Sequence, residues 1–283
     1  MLNAYETVNY MRFIIYLLLF FASYLLPFSV RAGNEPQPAG ARSAGLAGIT
    51  AMLSDVWAVT NNIAGITALQ KPVVGVYAEN RFNLKALSTV TLQGVYSLAA
   101  KGSVGIELSR FGDKLYNEQK IGIGYAHKIG PVSLGLKATI LQLHLEELGS
   151  KRAVAISFGG QSEIIPNLVF GAHIFNMNQA KLADYQGERF PTVMNAGLAY
   201  KPGTKLLLSL ETEKDLEYPA DVKAGIEYKI IEQLALRTGF SSARQSATAG
   251  VGFTSKSFQI DYALGGHSVL GVSNYLSVSY QFN

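Results

Sequence analysis

Four histidines, His127, His144, His173 and His267, are the first residues to weigh for chemistry, because an imidazole serves as base, nucleophile or metal ligand. They are scattered, with no spacing that would gather them around a metal ion. Ser268 follows His267 directly, and a base beside a hydroxyl is the minimum for nucleophilic catalysis. Adjacent residues of a strand point to opposite faces, so this pair needs irregular backbone to form a dyad. No third member is evident. Glu146 and Glu147 read more simply as a solvated turn than as an acid and its base. Gly122-Ile123-Gly124 has no helix pattern after it and so lacks the setting of a phosphate loop. The absence of Cys excludes disulfides, thiolate sites and lipoprotein acylation. The formal charge of +4 is dispersed, without the Lys/Arg block that marks nucleic-acid binding. The chain therefore reads as a non-enzyme, with no cofactor, no metal and no nucleic-acid partner.

The charges that do form a pattern sit at alternate positions of apolar runs. Between Asp221 and Ile230, Val222, Ala224, Ile226, Tyr228 and Ile230 share one face, while Lys223, Gly225 and Glu227 share the other. Phe258, Ile260, Tyr262 and Leu264 oppose Asp261 in the same way, and Ile121, Ile123 and Tyr125 oppose Lys120. Glu107, Lys137, Glu211 and Arg237 complete this set of charges, interleaved with glycines. Such runs recur about fourteen times, centred near Val76, Gly94, Ile106, Gly124, Leu136, Ile156, Ala172, Gly197, Leu208, Gly225, Leu236, Gly250, Ile260 and Val278. An even number of strands, apolar on one face and polar on the other, predicts an all-β, transmembrane antiparallel barrel. The eight charged residues then face the lumen. The low charged fraction, 16 %, agrees with a lipid-facing exterior.

The connections support this. Short ones fall at Ala100-Lys101-Gly102, Lys128 to Pro131, Lys201 to Lys205 and Thr254 to Ser257, as periplasmic turns would. Longer ones are expected at Arg81 to Thr89, Phe111 to Glu118, Met177 to Pro191, Asp215 to Ala220 and Gly265 to Ser273. The turn from Gln161 to Asn167 looks long for its side. Lysines in the short turns and acids in the long loops (Asp113, Glu118, Asp184, Glu188, Asp215, Glu217) give a weak polarity along the axis. A soluble β-sandwich also alternates, but its edge strands would be polar on both faces, and here the apolar faces are continuous. An aromatic, Phe282, stands next to the C-terminus, as in the assembly signal of outer-membrane proteins.

Ahead of the strands, Met11-Arg12 precedes an apolar run from Phe13 to Phe28, too short for a spanning helix and suited to a signal peptide. Residues 1–32 are assigned to that leader, with Met11 as an alternative start, residues 33–71 to an N-terminal segment, and residues 72–283 to the barrel. The N-terminal segment is rich in Gly, Ala and Asn and holds the chain's one Trp. Such small side chains build a poor free-standing core, so the segment is expected to pack inside something else.

Its pattern, Gly40-Ala41-Arg42 with Gly45 and Gly48, then a short helix with Trp57, then Asn61-Asn62 with Ala64 and Gly65, resembles the N-terminal segment of the FadL and PorV/PorQ outer-membrane barrels. Ile63 stands where that superfamily usually has Pro, and Trp57 lies upstream of the Asn rather than beside it. The resemblance implies a barrel whose N-terminal segment folds back as a lumen hatch, carried here by Gly40, Ala41, Arg42, Gly45, Gly48, Trp57, Asn61, Asn62, Ala64 and Gly65. It implies residence in the outer membrane of a Gram-negative bacterium. FadL-like members pass long-chain fatty acids or aromatic hydrocarbons from a loop pocket, through the hatch, to a gap in the wall. PorV/PorQ-like members serve type IX secretion. The outer loops leave little room for an enclosing apolar pocket, which favours the PorV/PorQ-like reading. Other outer-membrane or secreted surface proteins are then the expected partners, beside outer-membrane lipid. The alternative is a channel for hydrophobic small molecules, with a hydrophobic ligand, and a third reading is a lipid-hydrolysing barrel using His267. The segment is expected to seal the lumen, Gly40 to Gly48 threading along the wall and Asn61 to Gly65 turning into the first strand.

Overall fold

A computed structural model describes residues 37–181, 189–243, 246–267 and 269–283. The expected leader, residues 33–36 of the hatch segment, the loop acids Asp184 and Glu188, and Ser268 lie outside the described residues.

Alternation of apolar and polar residues resolves into fourteen antiparallel strands, each hydrogen-bonded to its neighbours in sequence. They are β1 (Val73–Asn80), β2 (Ser88–Ser97), β3 (Ser103–Gly112), β4 (Tyr116–Ile129), β5 (Val132–Leu145), β6 (Gly149–Ile165) and β7 (Leu168–Phe175). The second half comprises β8 (Val193–Tyr200), β9 (Leu206–Asp215), β10 (Asp221–Ile231), β11 (Leu234–Ser241), β12 (Ser246–Thr254), β13 (Phe258–His267) and β14 (Gly271–Gln281). Pairing of β1 with β14, from Val73↔Gln281 to Asn80↔Asn274, closes the barrel. Every expected strand centre falls within one of these strands.

Side-chain parity sets the two surfaces. Val74, Val76, Leu92, Ile106, Ile123, Leu136, Leu208, Ile226, Leu236, Ile260 and Val278 are exposed on the outside, with many more of their kind around the wall. So continuous an apolar exterior far exceeds the patches of a few hundred Å² found on soluble monomers. It is the surface of a membrane-spanning barrel. Tyr96, Tyr125, Tyr200, Tyr228, Phe253 and Phe258 are exposed close to the short-turn ends of their strands. They form the aromatic girdle that such barrels place at a membrane interface.

Three connections are shorter than the sequence suggests. β3 and β4 continue to Gly112↔Asn117, leaving only residues 113–115 as a loop. β13 and β14 continue to His267↔Gly271. Gln161–Asn167 is not a long turn either, since β6 runs on to Ile165 and only Pro166 and Asn167 connect it to β7. The reason is the same in each case: beyond the bilayer a ladder still pairs its backbone groups, but its side chains need no apolar alternation.

Residues 37–71 precede β1 and pack against inward-facing residues of the wall. They form two four-residue helices, α1 (Ala41–Ala44) and α2 (Ala58–Asn61), and a 3₁₀ turn over Ile63–Ala68. Within Gly40 to Gly48 the chain makes one helical turn, α1. Gly40 at φ 95° and Gly48 at φ 76° bracket α1 in a backbone region that favours glycine. Trp57, Val56, Val59, Ile63 and Ile66 are buried with Val73, Tyr77 and Val95 of the wall, and Leu46, Ile49, Ala51, Met52 and Leu53 with Ala199 and Leu207. The core of this protein is the interface between that segment and the barrel.

Candidate functional site

The glycines among the inward charges define the site. Gly105 opposes Gly124 across β3–β4, Gly135 opposes Gly159 across β5–β6, Gly171 opposes Gly197 across β7–β8, and Gly225 opposes Gly239 across β10–β11. At each of them the N-terminal segment fills the space a side chain would need. A Cβ on Gly105 would lie 2.7 Å from Val59, on Gly124 2.6 Å from Ile63, on Gly197 2.7 Å from Met52 Sδ, and on Gly239 2.5 Å from the Ala47 nitrogen. Gly75 meets Trp57 at 2.9 Å in the same sense. The wall is therefore hollowed, nearly strand by strand, to the shape of residues 45–66.

Polar side chains of the wall then satisfy the segment's irregular backbone, which buried and unpaired would be costly. Glu211 accepts hydrogen bonds from the Thr50 N–H (2.8 Å), the Ala51 N–H (2.7 Å) and Asn195 (3.0 Å). Lys223, fully buried, donates to the Gly48 carbonyl at 3.2 Å and to Glu213 at 2.7 Å. Gln161 donates to the carbonyls of Ala51 and Leu53 at 2.8 and 3.1 Å. Thr248 serves Ala47 and Gly45, and Ser277 accepts from the Ala41 N–H. Asn62 works in the other direction: its amide donates to Ala51 (2.6 Å) within the segment and to Gly160 (3.2 Å) and Ala172 (3.3 Å) of the wall. Its carboxamide oxygen accepts from the Ala64 N–H at 3.2 Å and starts the 3₁₀ turn. Asn61 and Ala39 exchange two hydrogen bonds of 2.9 Å, which tie the first described residues to α2.

Ion pairs fix the two sides of the segment. Arg42 grips Glu227 with Nε and Nη2 at 2.8 and 2.9 Å and reaches Asp55 at 3.4 Å. Arg237 joins the same Glu227 at 2.6 Å and Asp261 at 2.7 Å. Burial works against the Arg42 charge, but Glu227 more than offsets it and the guanidinium is held charged above its ordinary range. Burial raises the Asp55 carboxyl, with Arg42 opposing. On the other side Thr60 donates to Glu107 at 2.7 Å, and Lys137 bonds the same carboxylate.

Of the eight charges assigned to the lumen, Glu107, Lys137, Glu211, Lys223, Glu227, Arg237 and Asp261 are buried inside, and Lys120 lines an inner chamber. Gly40, Ala41, Arg42, Gly45, Gly48, Trp57, Asn61, Asn62, Ala64 and Gly65 all lie in the enclosed segment. Asn195, Gln161, Thr248 and Ser277 belong to the site too. They share the inward parity of the glycines, which is the signal that could have marked them.

Among the described residues, cavities flank the segment on two sides. The chamber, about 50 Å³, lies between Thr50, Thr60 and Asn61 and a wall of Glu107, Lys137, Thr139, His173, Phe175 and Val193. Beside it, toward the long loop after β7, Phe175 packs on the apolar cluster Leu141, Ala155 and Phe190. The larger cavity, about 660 Å³, opens at the short-turn end and is lined by Arg42, Glu227 and Arg237 together with Lys201, Lys205 and Lys229. The wall shows no gap among the described residues, and the β3 ladder is unbroken from Ser103↔Ala126 to Gly112↔Asn117. His267 is taken up by its own turn, Nδ1 accepting from the N–H groups of Val269 and Leu270 at 3.2 Å. No group of three or more metal-ligating side chains occurs among the described residues.

These features define an outer-membrane type of β-barrel with an occupied lumen. Its fold is that of the FadL-family hydrocarbon channels. It is similar to the monoaromatic hydrocarbon channel CymD (TM-score 0.65, 11 % identity, 87 % of this chain and 98 % of that one). A Pseudomonas aeruginosa FadL homologue gives the same figures. The P. putida toluene transporter TodX follows at TM-score 0.63 and 12 % identity, over 88 % of this chain and 100 % of that one. The sequence matches no protein-family profile, and no curated protein matches it.

Proposed function

We propose that the protein is a non-enzymatic outer-membrane channel for hydrophobic small molecules, with residues 37–69 as its hatch. The observation that carries this reading is the apolar cluster of Leu141, Ala155, Phe175 and Phe190 at the outer end of the lumen, sharing Phe175 with the chamber above the hatch. Leu141, Ala155 and Phe190 are buried and Phe175 is half-buried, so a hydrophobic solute arriving from outside meets the edge of this cluster at Phe175 and then the enclosed segment. Passage requires that segment to move, because the wall around it is closed. The likeness to hydrocarbon channels supports the same reading. The test is accumulation of a labelled monoaromatic hydrocarbon by cells with and without the protein. Equal accumulation would refute transport of that class.

A second reading has the barrel permanently sealed and serving secretion or surface attachment of other proteins, as PorV/PorQ-like barrels do. It is supported by the close fit of the segment to the glycine-lined wall and by loops even shorter than the sequence suggests. Crosslinking in intact cells tests it: specific adducts with secretion components would favour it, and none would remove it.

A further inference from the structure

The short-turn mouth carries a charge pattern that the transport reading does not use. Its 660 Å³ cavity falls within the roughly 300–1,000 Å³ range of small-ligand pockets. Two of its cations are already neutralised, since Arg42 and Arg237 share Glu227 and Arg237 also holds Asp261. Lys201, Lys205 and Lys229 are different: among the described residues none of them forms an ion pair. Facing these three ammonium groups, the cavity lining adds only one further carboxylate, Glu232.

Backbone hydrogen bonds fix Lys229 beside Lys205 and anchor Lys201 to the adjacent turn. The Lys229 N–H donates to the Lys205 carbonyl, and the Lys201 N–H to the Asn167 carbonyl, both at 2.8 Å. Lys201 and Lys205 also bracket one turn between β8 and β9. The crowding has a cost: burial first, then repulsion from Arg42, lower the Lys201 ammonium below its ordinary value, with Lys229 adding to the repulsion and Glu227 and Glu163 opposing it. An anion placed among these groups removes that repulsion, and the low-dielectric wall of the barrel focuses their field on it. Three separated point charges suit a multivalent anion with several acceptor oxygens better than a single carboxylate. A phosphate group supplies about −1.5 to −2 charges and three such oxygens.

We propose that this inner mouth binds a phosphate-bearing anion, held by Lys201, Lys205 and Lys229 beside the Arg42–Glu227 pair that joins the enclosed segment to the wall. The source is either a free phosphate ester or a phospholipid headgroup from the inner leaflet. The proposal does not rest on the transport reading, because binding is measured at equilibrium without any flux.

Sodium pyrophosphate is titrated calorimetrically into the full-length protein in non-ionic detergent at low salt. Saturable binding is expected, weakened at least tenfold in the K201Q/K205Q/K229Q variant and weakened progressively by sodium chloride. Glu232→Gln, which removes the opposing carboxylate, is expected to tighten binding severalfold. It keeps the test decisive should the triple variant fail to fold. Native mass spectrometry separates the sources. Phospholipid retained by the wild type and lost from the triple variant identifies the headgroup, and pyrophosphate binding by lipid-free protein identifies a free ester. No saturable pyrophosphate binding, with equal lipid retention by wild type and variants, would overturn the proposal.

Discussion

Gly171→Ala tests whether the enclosed segment is held by shape. The added methyl would overlap the Ala51 carbonyl oxygen most severely and would lie 2.5 Å from its carbon and 3.0 Å from the Met52 nitrogen. All three are backbone atoms, so no rotamer change relieves the overlap. To regain an ordinary separation of about 3.5 Å, the loop at Ala51 must retreat by about 1–1.5 Å. Ala51 is a hub: its carbonyl accepts from Asn62 (2.6 Å) and Gln161 (2.8 Å), and its N–H donates to Glu211 (2.7 Å). A retreat of that size takes at least two of these bonds out of range. At about 1 kcal/mol for each neutral bond and about 1.5–3 for the one to a carboxylate, losing two of them costs about 2–4 kcal/mol. That shifts a docking equilibrium by about one and a half to three orders of magnitude. Trp57 is the natural reporter, being the chain's one Trp and 3 % exposed against Tyr77. The variant is expected to show red-shifted, acrylamide-quenchable emission and single-channel openings in planar bilayers, with heat-modifiable gel mobility unchanged. Gly203→Ala, whose methyl would meet nothing within 4 Å, is the control. Wild-type emission and conductance in Gly171→Ala would show that the close packing does not hold the segment.

Arg42→Ala leaves Glu227 with Arg237 alone. Breaking a buried pair costs about 3–5 kcal/mol, and the partial exposure of Arg42 places the effect at the lower end, about 3 kcal/mol, with faster limited proteolysis of the N-terminal segment. Asn62→Ala leaves the Ala172 and Gly160 carbonyls without their amide donor and removes the cap of the 3₁₀ turn, a loss of about 2 kcal/mol read as a lower melting temperature. Phe190→Ala is expected to reduce hydrocarbon accumulation severalfold while Trp57 emission stays at the wild-type wavelength.

Strands and their facing were legible because parity is a local property: Val222, Ile226 and Tyr228 against Lys223 and Glu227 could be assigned before any partner was known. The ends of the strands were not. Asn117 to Gln119 lies beyond the apolar band and alternates no longer, yet its backbone remains paired with β3. Partners inside the lumen were equally hidden. Arg42 and Glu227 are 185 residues apart and Ala41 and Ser277 are 236 apart, and nothing in either neighbourhood names the other. The glycines were visible as a sign of a closely filled interior. That they stand opposite one another across neighbouring strands required the register.

The wall's dependence on its filling bears on how the protein is made. Residues 37–69 leave the translocation machinery before any strand does, yet they bond to strands from β2 to β14. The final seam, β1 to β14, joins the first strand synthesised to the last and encloses the segment as it forms. Strands with two inward glycines, such as β4 and β12, give little side-chain surface to their neighbours on the inner face. The segment can supply that surface during assembly, gathering each hairpin as it arrives, so that it serves as the mandrel on which the cylinder is wound. A chain deprived of residues 37–69 is then expected to accumulate as unclosed sheet rather than as an open pore.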